Sequence, residues 1–235
     1  MLLIPTRIEV TGLTLAERAT PVVWIWLALV LGVFVAERLV VIDHDLGFGW
    51  FPQGVFASVT FVIASWSLYG DPALFDLWQL WSHLLVHPHW WLLAVEITLM
   101  LVLGRALERV MGSALFAAVL ACLGPLGGVA MVLLAQESVH AGALPLMLGL
   151  VGLVLGRLPG ATTCWGVAWW AVVAVGYWPL FRLPMPTLMF LLLVLTVVSA
   201  PADAAIRSLL VGLLLVATGL GLGVLVRRFD PTPMA

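Results

Sequence analysis

Apolar residues run through this chain in blocks too long for any face that meets water, and most of the charged residues fall between them. The blocks lie at 21–42, 89–107, 113–135, 141–158, 164–183 and 204–226, with polar or proline-rich breaks at 105–109, 136–138, 157–160 and 184–186. A helix of about 20 residues crosses the hydrocarbon layer of a bilayer, and a backbone group left unpaired there costs several kcal/mol, so each block is predicted to be a membrane helix. The pattern therefore predicts an all-α polytopic membrane protein with six crossings. One more apolar segment, 187–200, is short for a crossing and sits between Pro186 and Pro201. It reads either as a seventh short span or as a helix in the loop before the last one. Arg18, Arg105, Arg109, Arg157, Arg227 and Arg228 share one side only when the crossings number six, and an arginine-rich side is the cytoplasmic one.

Three regions follow: an N-terminal segment 1–20, a membrane domain 21–228 and a tail 229–235. Arg7, Glu9, Glu17 and Arg18 are mixed with aliphatic residues in the first region, which predicts a short amphipathic element at the membrane surface. Within the second, a long first loop spans 43–80 and is punctuated by Gly47, Gly49, Pro52, Gly54, Gly70, Asp71 and Pro72. Its apolar stretch 55–68 carries Ser58, Thr60, Ser65 and Ser67 and is predicted to lie at the interface or partly submerged. The first block is too long for the apolar core of a cleavable signal peptide, so it is read as a retained span, broken only by Glu37 and Arg38.

Composition supports the bilayer as solvent: 63% of residues are hydrophobic and 9% charged, with a mean hydropathy of +1.17. A net charge of -2 leaves no basic field for nucleic acid or for a polybasic lipid-binding face. Cys122 and Cys164 lie in different blocks without CxxC spacing and are expected to be plain buried thiols. Most of the 12 tryptophans are expected to be interfacial anchors. Gly149, Gly152 and Gly156 in the fourth block, and Ser208, Gly212, Gly219 and Gly223 in the last, fall on one helical face each, which lets two backbones approach closely in lipid.

Between Trp78 and Gly112 the chain reads WQLWSHLLVHPHWWLLAVEITLMLVLGRALERVMG. This resembles the second-span region of rhomboid intramembrane proteases: Trp78 and Gln79 match the aromatic and polar pair ending the long first loop, His83 and His87 the two structural histidines, and Gly104, Glu108 and Gly112 the residues that close the span. GALPLMLGLVG, from Gly142 through Gly149 to Gly152, is similar to the family's GxSGxxxGLxG, and AAIRSLLVG, ending at Gly212, to its AHxxGxxxG. The resemblance covers about residues 78–226, in order and spacing, and implies a six-helix rhomboid-like bundle.

The departures fall on chemical positions. In a working rhomboid a serine attacks the peptide carbonyl and a histidine takes its proton; the matching residues here are Leu144 and Ala205. Pro145 replaces the glycine after the serine and removes an N–H near the oxyanion position, while Leu92 and Glu96 stand where the family places a histidine and an asparagine as oxyanion donors. The resemblance thus implies no catalytic residues, and a non-catalytic pseudoprotease that binds transmembrane segments of client proteins. The four-residue spacing of His83 and His87 is also that of two zinc ligands, but Leu84 occupies the place of the HExxH glutamate, so no metal is expected, and no cofactor. Partners are expected to be membrane lipids and a transmembrane client, without nucleic acid. The location implied is a bacterial inner membrane with a cytoplasmic C-terminus. Two other functions compete: a protease with a rearranged site using Ser82, Ser138 or Ser208, and a small transporter using Glu96 and the histidines as an ion path. Glu96, flanked by apolar residues, must be paired, protonated or facing water inside the bundle.

Overall fold

The computed structural model describes residues 2–9, 19–46, 68–69, 77–87, 89–134, 139–140, 142–158, 160–171, 174–199 and 205–229. The described residues form β1 (Leu2–Glu9), α1 (Pro21–Leu46), β2 (Leu68–Tyr69), the short α2 (Gln79–Ser82), α3 (Trp90–Met111), α4 (Ser113–Leu134), β3 (Val139–His140), α5 (Leu144–Arg157), β4 (Thr162–Ala171), β5 (Ala174–Pro184), α6 (Met185–Ser199) and α7 (Ala205–Phe229). Four of these helices, α1, α3, α4 and α7, are long and apolar enough to cross a membrane, and α5 and α6 are shorter apolar helices. Together they make the helical, multi-pass membrane bundle that the apolar blocks predict.

The fifth apolar helix among the described residues is not where the sequence pattern puts it. Residues 164–171 and 174–183 lie within the antiparallel pair β4–β5, and the helix is α6, in the segment read as ambiguous. Local chemistry accounts for the exchange. The 164–183 block is rich in valine and aromatic residues, which favour strands, and holds Pro179, which removes a helix hydrogen bond. In the sheet order β1-β4-β5, Pro179 sits on an edge strand, next to a break in the register with β4, where proline is tolerated. Helix α6 has Pro186 in its first turn, where proline suits a helix start, followed by leucine, methionine and phenylalanine.

The N-terminal segment, expected as an amphipathic surface element, contributes β1, which pairs antiparallel to β4 from Leu2 opposite Ala168 to Glu9 opposite Thr162. The pairing puts residues before α1 and residues between α5 and α6 on one side, as an even number of crossings between them requires. Helix α1 runs four residues beyond its expected end, to Leu46. Of the apolar loop stretch 55–68, only Leu68 lies within the described residues. Cys122, expected to be buried, is exposed on α4.

The core lies where α3, α4, α5 and α6 meet, around Met100, Leu103, Leu107, Phe116, Leu123, Met147, Leu150 and Leu188. Helices α5 and α7 pack with backbone against backbone. A methyl added to Gly152 would strike the carbonyl of Val216, one on Gly219 the carbonyl of Gly149, and one on Gly223 would lie 2.5 Å from Leu153 O. Contacts advance together along both chains, from Gly149 beside Leu215 to Gly156 beside Leu220, so the two helices run parallel.

Candidate functional site

Because α5 and α7 are parallel and begin at Leu144 and Ala205, both residues stand at the N-terminal ends of a tightly packed helix pair. Leu144 is partly exposed and packs against the core, whereas Pro145 is buried in the first turn of α5. Pro145 lies on the Gly127 side of α5, where Leu215 of α7 also approaches. Ser208, a candidate hydroxyl for an altered site, is buried one turn into α7, and Ser82 is buried at the end of α2. Ser138 lies outside the described residues. At Leu144 and Ala205 this end of the helix pair presents hydrocarbon side chains.

Polar side chains gather instead where α1, α3 and the segment 83–87 meet. Glu96 is only 3% exposed, and its Oε1 accepts the indole N–H of Trp26 at 3.0 Å. Its Oε2 pairs with Nε2 of His87, which is 1% exposed. Nδ1 of His87 faces the carbonyl of Leu85 at 3.3 Å, and Arg38 Nη2 reaches the His87 carbonyl at 3.5 Å. Glu37, buried on the same helix as Trp26, has an Oε1 with no hydrogen-bond partner among the described residues. Burial alone would lower the His87 pKa, but the hydrogen bond and charge of Glu96, the Leu85 carbonyl and the charge of Glu37 together raise it above the ordinary 6.5. Leu92, one turn before Glu96, is partly exposed.

The scaffold residues are held by backbone. His83 Nδ1 contacts the carbonyl of Gln79 at 2.8 Å, and its own carbonyl accepts the N–H of Gly142 at 2.8 Å. Gly142 has φ +98°, so a side chain there would be strained, and this turn carries the chain into α5 beside His87. Gln79 is buried on α2, while Trp78 is exposed, as suits an interfacial ring. At the other end of α3, the Glu108 carboxylate accepts the N–H groups of Val22 and Val23, both at 3.0 Å, and the Ser113 hydroxyl at 2.6 Å. It thus caps the first turn of α1, where helix N–H groups have no partner of their own. Gly112, with φ +81°, turns the chain from α3 into α4, and Gly104 lies where α1 passes close, near Val23. Gly212 is buried beneath Leu148 and Leu193.

Among the described residues, no group of three His, Cys, Asp or Glu side chains is placed to hold a metal ion. The sequence reading singled out Glu96 and His87 separately but missed that they meet. It also missed Trp26 and Arg38 as their partners: the Glu37–Arg38 break in an apolar block was a signal, whereas a tryptophan in a membrane helix gives none.

A family model described as Rhomboid domain matches residues 74–226, about two thirds of the chain. No curated protein matches the chain.

Proposed function

The chain belongs to the rhomboid family, and on that premise we propose that it is a rhomboid-like pseudoprotease, a non-catalytic membrane protein that binds transmembrane segments of client proteins as adaptor or chaperone. The observation that carries this reading is the pair Leu144 and Ala205, hydrocarbon side chains at the starts of the packed helices α5 and α7. Acyl transfer needs an atom that attacks and a base that takes its proton. Neither side chain supplies one. Pro145 deprives the first turn of α5 of an N–H, and the Glu96 carboxylate at an oxyanion-donor position would repel developing negative charge. The scaffold is nonetheless kept: Glu108 caps α1, Gly112 and Gly142 make their turns, and Gly149 and Gly152 admit α7. A helix bundle held this way can bind an apolar segment without cutting it. In this reading the protein resides in a bacterial inner membrane with its C-terminus in the cytoplasm, on the side of Arg157, Arg227 and Arg228.

The test has two arms. A serine-directed fluorophosphonate probe leaves the purified protein unlabelled, and extraction in mild detergent brings down a membrane protein that is released by a peptide of its own transmembrane segment. Labelling at Ser82, Ser138 or Ser208 would establish an altered protease instead.

A further inference from the structure

The joint around His87 contains more polar chemistry than a structural contact requires. Each ring nitrogen of His87 faces an oxygen: Nδ1 the Leu85 carbonyl at 3.3 Å, and Nε2 the Glu96 carboxylate. With Glu96 ionised both oxygens accept, so only the doubly protonated imidazolium donates to both. A neutral ring would leave one nitrogen lone pair against an oxygen in a buried site, where a charge-assisted hydrogen bond is otherwise strong. Glu96 also takes the Trp26 N–H, Arg38 holds the His87 carbonyl, and Gly142 packs beside the imidazole edge. Four parts of the chain therefore converge on one joint around His87 and Glu96: α1, the segment before α3, α3 itself, and the turn into α5.

We propose that His87 and Glu96 form a proton-operated clasp, in which the imidazolium ties the segment before α3 to α1 and to the turn at Gly142, and release of its proton to water loosens that joint. Among the described residues, the charged and titratable groups that face it are Glu96 from α3 and Glu37 and Arg38 from α1, and the turn into α5 brings Gly142. The sign follows from linkage. A histidine whose folded pKa lies above its unfolded value contributes stability that is complete below the unfolded value of about 6.5. That contribution is lost as pH rises through the higher folded value. The clasp is closed below about pH 6.5 and opens as pH rises through the raised folded value.

Hydrogen exchange of the full chain in lipid nanodiscs tests it, with rates corrected for the intrinsic effect of pH. Between pH 6 and pH 9, protection of segments 22–30 and 83–96 is expected to fall about tenfold for each unit by which folding raises the histidine pKa. His87→Gln and Glu96→Gln should each give a flat profile. An equal fall in His87→Gln, or no fall in the parent protein, would overturn the proposal. Ring-nitrogen NMR shifts of the histidine-labelled parent protein decide the matter even when the variants do not fold. Among the 5 histidines, the His87 ring should hold its second proton to a pH above the ordinary histidine value of about 6.5, and a His87 that titrates at or below that value would also overturn it.

Discussion

Oε2 of Glu108 accepts the backbone N–H of Val23 at 3.0 Å, joining the last turns of α3 to the first turn of α1 across 85 positions of sequence. With Val22 on Oε1, one carboxylate caps two free N–H groups and places negative charge at the positive end of a helix. The same side chain takes the Ser113 hydroxyl and so braces the turn into α4.

Glu108→Ala should therefore cost more than an ordinary cap, on the order of 2–4 kcal/mol, since buried donors lose a charged acceptor. Glu108→Gln keeps one acceptor oxygen and should cost about half as much. Unfolding in mixed micelles with increasing denaturing detergent measures both, and equal stability of the two variants would contradict the cap.

The packing of α5 on α7 makes a position-specific prediction. Gly152→Ala pushes a methyl into the Val216 carbonyl, so the helices must separate and stability should fall by about 1–3 kcal/mol, the usual range for overpacking. Gly221→Ala, on the same helix pair but with nothing within 4 Å, should be neutral or stabilising by up to about 1 kcal/mol. Thermal midpoints of the two variants in one detergent compare them directly.

Trp26→Phe should remove the only donor other than His87 that reaches Glu96 among the hydrogen bonds described above, at a cost of about 1–3 kcal/mol. Trp24→Phe, on the outward face of α1 and 56% exposed, should change stability little. The pair of variants isolates the hydrogen bond from the loss of an aromatic ring.

How much of this could be read in advance depended on the length scale of the signal. The helices α1, α3, α4 and α7 announced themselves because long apolar runs have one outcome in a bilayer. The small-residue faces of α5 and α7 were legible because Gly149, Gly152, Gly219 and Gly223 repeat at helical spacing. The block 164–183 misled because hydropathy does not distinguish a strand from a helix when valine and aromatic residues supply it. Choosing α6 over that block required weighing Pro179 against Pro186. At the site, single residues were visible and their meeting was not. His87 and Glu96 are nine positions apart, the first before α3 and the second within it, and Trp26 lies 70 positions from Glu96. No periodicity encodes such a contact.

The last prediction asks whether a serine and a histidine at positions 144 and 205 would create chemistry. Leu144→Ser with Ala205→His returns a nucleophile and a base to the starts of α5 and α7. The first turn of α5 is where free N–H groups and the helix dipole would stabilise an oxyanion, but Pro145 has no N–H to give and is buried there. Leu92 donates nothing, and Glu96 brings a carboxylate already committed to His87 and Trp26. Each missing oxyanion donor costs about 100-fold or more in rate. The double variant should therefore cleave a transmembrane substrate at most at trace rates and label weakly with a fluorophosphonate. Adding Pro145→Gly, Leu92→His and Glu96→Asn should raise labelling stepwise, the first by about 100-fold. Efficient cleavage by the double variant alone would mean that Pro145 and Glu96 do not stand at the oxyanion positions, and with that the alignment of α3 and α5 to the catalytic rhomboids would fail.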